Sequence, residues 1–169
     1  MRLLETPRVF VSYRWESEAH SHWVTRFVAD LAFRRVQVEF DRLIQTGRRD
    51  DATPEIIARI AVCHAFLAML TPSYLEALGW RDGAWHNYIP RNRWVFDEFQ
   101  LALRHEDAGT TEIIPILREG DIAVLPYDWN SSNTLDLRAD EEYEAKVNYL
   151  AHYLHSKRKI PQLSGTRID

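Results

Sequence analysis

Short apolar runs rich in Val, Ile and Phe alternate with longer amphipathic stretches along most of this chain, and that alternation limits its folds more than any other feature. RVFVSY (8–13) reads as a buried strand ending in a polar turn. Ser17 to Phe33 carries Trp23, Val24, Phe27, Val28 and Leu31 at helical spacing, with Ser17 placed to cap the helix. VQVEF (36–40) is a second strand. Residues 41–52 are polar around Gly47 and read as a loop. Thr53-Pro54-Glu55 then opens a helix to about Ala61, with Pro in the first turn and an acid at the positive end of the dipole.

HAFLAML (64–70) is a third buried strand, and TPSYL (71–75) starts a further element. Residues 79–93, GWRDGAWHNYIPRNR, read as an irregular loop whose Trp80, Trp85 and Tyr88 make an adhesive patch if exposed. A helix is expected from 94 to about 105. EIIPIL (112–117) is a fourth strand, in which Pro115 marks an irregularity or an edge position. Residues 118–133 read as loop and TLDLR (134–138) as a short fifth strand. A last helix, Asp140 to about Lys157, shows Tyr143, Val147, Leu150, Ala151 and Leu154 as its apolar stripe. Strands separated by helices argue for a parallel sheet covered on both faces. Ligands of such sheets bind at the carboxyl ends of the strands near a topological switch point. That rule selects Ser12-Tyr13-Arg14, Phe40-Asp41-Arg42 and the segment after Leu70.

Composition removes several function classes. A net charge of −4, from 21 Lys+Arg against 25 Asp+Glu, is not the basic footprint of a nucleic-acid binder. The cations Lys157, Arg158 and Lys159 read as a solvated helix end. The single cysteine, Cys63, heads an apolar run and reads as a buried, inert thiol. No apolar run approaches the roughly 18 residues of a membrane span, and MRLLETPRVF lacks a signal-peptide core, so a cytoplasmic protein is expected. No dinucleotide or phosphate-cradle glycine motif and no nucleophile-elbow motif occurs. His20 and His22 lie on different helix faces, and His152 and His155 lack an obvious third ligand, so no metal site is expected.

RVFVSYR at the first strand, the FDR-to-TPEI loop after the second, HAFLAMLTPSYL at the third and WVFDE on the following helix occur in that order. In this the chain resembles a Toll/interleukin-1 receptor (TIR) domain of the NAD-cleaving bacterial immune type. The motifs carry the resemblance from Arg8 to Leu117, and element order carries it beyond. Two departures stand out: SYRWESEAH offers Glu16 or Glu18 where the family often has an acid after the first strand, and residues 79–93 lengthen a connection that is usually short. The fold implied is α/β, flavodoxin-like, with a central, mainly parallel five-stranded sheet flanked by helices. One domain is expected over 1–157, followed by a loose tail or linker over 158–169.

The resemblance implies cleavage of the nicotinamide–ribose bond of NAD+, by a glycohydrolase or an ADP-ribosyl cyclase in bacterial antiphage defence. Matched by motif, the catalytic residue is Glu98. A carboxylate suits the oxocarbenium-like ribose that develops as cationic nicotinamide leaves. The substrate-binding set implied is Ser12, Tyr13, Arg14, Phe40, Asp41, Arg42 and Trp94. Arg14 would sit near phosphate or adenine, the loop opened by Phe40, Asp41 and Arg42 would dock on a neighbour, and Trp94 is either a core ring or a pocket wall. Asp97 rivals Glu98 in type but points about 100° away around the helix. No cofactor is expected, since NAD+ is the substrate. The partners implied are other copies through TIR–TIR contacts and a sensor domain or effector, with neither nucleic acid nor membrane. Two other classes stay open, a non-enzymatic TIR adaptor and an enzyme resembling the nucleoside deoxyribosyltransferases.

Overall fold

A computed structural model describes residues 5–40, 54–87 and 93–157. Asp41 and Arg42, the charged run 48–51, Tyr88 and the tail from 158 lie outside the described residues. Five strands form the main sheet: β1 (Arg8–Ser12), β2 (Gln37–Phe40), β3 (Ala65–Leu70), β6 (Glu112–Leu117) and β7 (Leu135–Asp136). Their order is β2-β1-β3-β6-β7, and every pairing is parallel. β1 and β3 lie side by side although β2 intervenes in sequence, so the order reverses between them. The sheet has its topological switch point there.

Side-chain alternation along the strands divides the interior into two cores. Val9, Val11, Ala65, Leu67, Met69, Ile114 and Ile116 face one way, against α1 (Glu18–Phe33) and α5 (Tyr143–Ser156). Phe10, Phe66, Ala68, Leu70, Ile113 and Leu117 face the other, against α2 (Pro54–Val62), α3 (Pro72–Ala77) and α4 (Trp94–Asp107). Because the central strands are covered on both faces, they read as continuous apolar runs. The expected stripes are the buried ones: Val24, Phe27, Val28 and Leu31 on α1, with Trp23 partly buried beside them, and Tyr143, Val147, Leu150, Ala151 and Leu154 on α5. Rings anchor α4 to the sheet. Phe10 stacks on Phe66 at 5.7 Å between centroids, and Phe99 meets Phe66 edge-on at 6.2 Å. Each such pair contributes about 0.5–1.5 kcal/mol beyond the area it buries.

The helix starts follow the chemistry of their caps. The Ser17 hydroxyl accepts from the His20 amide at 3.1 Å. Thr71 accepts from the Tyr74 amide at 3.0 Å, with Pro72 at the first helical position, where no amide is needed. The last helix begins as a 3-10 turn, Asp140–Glu142, before α5.

One expectation is corrected. Residues 80–85 are an antiparallel hairpin, β4 (Trp80–Arg81) with β5 (Ala84–Trp85), rather than irregular loop. Asp82 and Gly83 at its tip have φ of +53° and +72°. Positive φ at both central residues is the geometry of the two-residue turn that matches strand twist. Pro115 lies within a continuous six-residue strand, at a residue whose outer side pairs with no described strand, so the edge reading holds locally. β7 pairs with β6 only at Ile116 and Leu117, so a missing amide one residue earlier breaks no described ladder.

Candidate functional site

Ser12 is the last residue of β1 and pairs with Ala68 of β3, so it stands at the carboxyl end of the strands at the switch point. It shares strand parity with Phe10 and therefore faces α3 and α4. Glu98 comes down to meet it from the second turn of α4. The Ser12 hydroxyl donates to Glu98 Oε2 at 2.7 Å, across 86 residues of sequence. From α3, the Tyr74 hydroxyl donates to Ser12 Oγ at 3.0 Å. The result is a directed chain, Tyr74 to Ser12 to Glu98, in which the three residues are 0%, 1% and 1% exposed.

A carboxylate this deeply buried is costly to hold unless hydrogen bonds replace its water, and the Ser12 hydroxyl is one such replacement. Burial drives the Tyr74 phenol far above its ordinary pKa, and the nearby Glu98 charge adds to the rise. Tyr74 thus keeps its proton and remains a donor across the working pH range. Trp94, one helical turn before Glu98, is 4% exposed and belongs to the same core. Asp97 turns outward into an ion pair with Arg93 at 3.5 Å, so α4 sends only one of its adjacent carboxylates inward at this turn.

The other expected site residues divide between two places. Arg14 stays near the strand end, its guanidinium donating to the Ser73 carbonyl at 2.7 Å, at the start of α3. Tyr13 points into the opposite core, its ring 6.4 Å from Phe40 and 6.3 Å from His20. The structure therefore joins Ser12 to Glu98 and sets Tyr13 with Phe40 on the far side of the sheet. Tyr74 was not among the expected site residues. Its sequence signal is its place in TPSYL, at the third residue after the Thr71 cap, in the first helical turn beyond β3.

A ladder of rings leads outward from Phe99, the residue after Glu98. Phe99 contacts Tyr127 at 5.5 Å and Trp129 at 5.8 Å, Tyr127 contacts Trp85 at 5.0 Å, and Trp85 contacts Trp80 at 4.9 Å. The Trp80 indole also donates to the Val124 carbonyl at 2.8 Å. The hairpin is thus bound to the loop 121–129 and, through it, to α4. Among the described residues, no cluster of His, Cys, Asp and Glu is arranged to hold a metal ion. No helix among them is long and apolar enough to cross a membrane.

A parallel β2-β1-β3-β6-β7 sheet with a carboxylate set at the β1 and β3 strand ends defines an α/β protein with a switch-point site. The chain belongs to the TIR domain family, whose family model matches residues 9–151. Its backbone is similar to the crystal structure of a prokaryotic SEFIR domain: 21% identity, 97% of this chain and 100% of that one covered, TM-score 0.60. It is also similar to the TIR domains of the activated Roq1 resistosome directly recognizing the pathogen effector XopQ. There the identity is 14%, the coverage 89% of this chain and 82% of that one, and the TM-score 0.54. At these identities the two likenesses establish the fold. No curated protein matches the chain.

Proposed function

We propose that this TIR domain cleaves the nicotinamide–ribose bond of NAD+, as a glycohydrolase or an ADP-ribosyl cyclase, with Glu98 as its catalytic residue. The observation that carries the reading is the buried Glu98 carboxylate, held by Ser12 at the carboxyl end of the central strands. The C1′–N bond breaks with its electron pair leaving on the nicotinamide nitrogen, which departs neutral. The ribose becomes oxocarbenium-like, and a carboxylate in a poorly solvated place stabilises that charge far better than one in water. Water, or a nucleophile from the same molecule, then adds at C1′ and loses its proton to solvent or to Glu98. Arg14, beside the strand end, suits the pyrophosphate, and Trp94 a flat base. Ser12 aims the carboxylate; Tyr13, Phe40, Asp41 and Arg42 belong to the substrate set by family likeness alone, since Tyr13 and Phe40 pack on the other face of the sheet from Glu98.

Burial also supports activation by self-assembly. NAD+ reaches a carboxylate that is 1% exposed only after neighbouring elements move, and contacts between copies would supply that rearrangement. The setting proposed is a cytoplasmic bacterial antiphage system, with a sensor domain or a downstream effector as partner.

The test is NAD+ turnover with products identified by mass spectrometry, for wild type and Glu98→Gln, at high protein concentration and under forced clustering. Nicotinamide release by wild type alone supports the proposal, and the mass of the second product separates hydrolysis from cyclisation. No turnover by clustered wild type removes it. The same burial favours one second reading, a TIR adaptor in which Glu98 is a structural group, and NAD+ inertness with retained self-association would select it. Free deoxynucleosides in the same assay test the transferase alternative.

A further inference from the structure

We propose that Tyr74 is a positioning residue for Glu98, acting through Ser12, whose hydroxyl it orients so that the carboxylate is held ionised and aimed. The inference rests on the reading of Glu98 as the catalytic group.

The argument is one of proton direction. A serine hydroxyl has one proton to give and turns freely about its C–O bond. In this site Tyr74 removes that freedom. Its hydroxyl donates to Ser12 Oγ at 3.0 Å, so the serine's own proton must go elsewhere, and Glu98 Oε2 lies 2.7 Å away. The phenol does not reverse the chain by losing its proton, because burial holds its pKa far above the usual value. Ionised Glu98 therefore faces a donor. A protonated Glu98 would still accept from the same donor, but through a neutral oxygen and more weakly. A hydrogen bond that is stronger to the charged form lowers a carboxyl pKa. The bond from Tyr74 also polarises the Ser12 hydroxyl and strengthens the second link.

Arg14 is engaged by the Ser73 carbonyl, and Asp97 is turned outward to Arg93. Tyr127 lies within electrostatic reach of Tyr74 and is itself pushed up by burial, so it too stays neutral. Removal of the Tyr74 hydroxyl leaves Ser12 free to reverse, accept from a protonated Glu98 and stabilise the neutral acid.

The deciding measurement needs no substrate. With glutamate labelled at its carboxyl carbon, NMR follows the Glu98 titration in wild type, Tyr74→Phe, Ser12→Ala and Ser12→Thr. The expected result is an upward shift of roughly half a pH unit or more in Tyr74→Phe, a larger one in Ser12→Ala, and recovery in Ser12→Thr, which keeps the hydroxyl. An unchanged titration in folded Tyr74→Phe overturns the proposal. Should that variant not fold, wild type decides: the Tyr74 hydroxyl proton is expected as a slowly exchanging resonance whose shift follows the Glu98 titration, and indifference to it overturns the proposal equally. Where NAD+ is turned over, the acid limb of kcat/KM moves with the titration. An NAD+-inert protein whose Glu98 still responds to Tyr74→Phe removes the enzymatic reading and leaves the positioning role standing.

Discussion

Glu106, near the end of α4, accepts a 2.7 Å hydrogen bond from the backbone amide of Ile113 in β6. Glu112 donates its own amide to the His64 carbonyl on the β3 side, so by alternation the Ile113 amide points to the outer edge of β6. Pro115, two residues on, has no amide to offer. The outer edge of β6 ahead of the two-residue β7 therefore has one donor covered by a carboxylate and one absent, which protects it from pairing with another chain. Glu106→Ala is expected to cost about 1–3 kcal/mol and to lower Tm by a few degrees, with faster aggregation on mild heating. Glu106→Gln keeps an acceptor and recovers most of both. Calorimetry and light scattering check this, and an alanine variant that matches wild type in both would refute it.

The hairpin turn makes a second prediction. Gly83 has φ of +72°, and a Cβ there would meet no atom within 4 Å. The cost of Gly83→Ala is therefore conformational, about 1 kcal/mol, and confined to β4 and β5. Amide exchange at Trp80 to Trp85 is expected to speed up while the central strands are unaffected. Gly83→Asn, which tolerates this backbone better, falls between the two. Unchanged exchange in the alanine variant would contradict the turn assignment.

Cys63 supplies a third. It is buried, and desolvation pushes its thiol up to about 11. At pH 8 only about one thiol in a thousand is ionised, so the folded protein is expected to resist thiol reagents and to label at the rate at which it opens. Rapid stoichiometric labelling of folded protein at pH 8 is the contrary result.

His20 sets a pH dependence. Burial and Arg118 push its imidazole below the usual pKa, while Glu16, 3.4 Å away, and Glu119 pull it up against the larger effect of burial. The unfolded chain takes up a proton near pH 6.5, and the folded one resists it. The neutral histidine's contribution is thus complete above about pH 6.5 and is lost as pH falls through that value, the unfolded state binding more protons. Urea midpoints at pH 7.5 and 5.5 are expected to drop further for wild type than for His20→Gln. Equal drops would show that His20 is not the group responsible.

The sheet was legible because its central strands are buried on both faces, which leaves short unbroken apolar runs such as Phe66 to Leu70 between amphipathic helical stretches. The hairpin was missed because two-residue strands are too short to show a period, although Asp82-Gly83 is a strong turn signal. Glu98 was found through the WVFDE motif and Ser12 through the strand-end rule. Their hydrogen bond, and Tyr74 beside it, depend on residues 62 and 86 positions apart, which no local spacing encodes. The strand-end rule also grouped Ser12 with Tyr13, whereas a period of two sends neighbouring side chains to opposite faces. That is why Tyr13 lies with Phe40 and His20 in the other core.

The order in which these parts leave the ribosome follows from the same chain. Within the domain Ser12 is made first, then Tyr74 and then Glu98, so no nascent chain that stops before Glu98 can assemble the three. The strands that hold Ser12 from either side, β2 and β3, are both complete before the glutamate is translated. The carboxylate thus arrives at a cradle whose serine and tyrosine have already been synthesised, and a chain cut short before α4 carries the cradle without the acid.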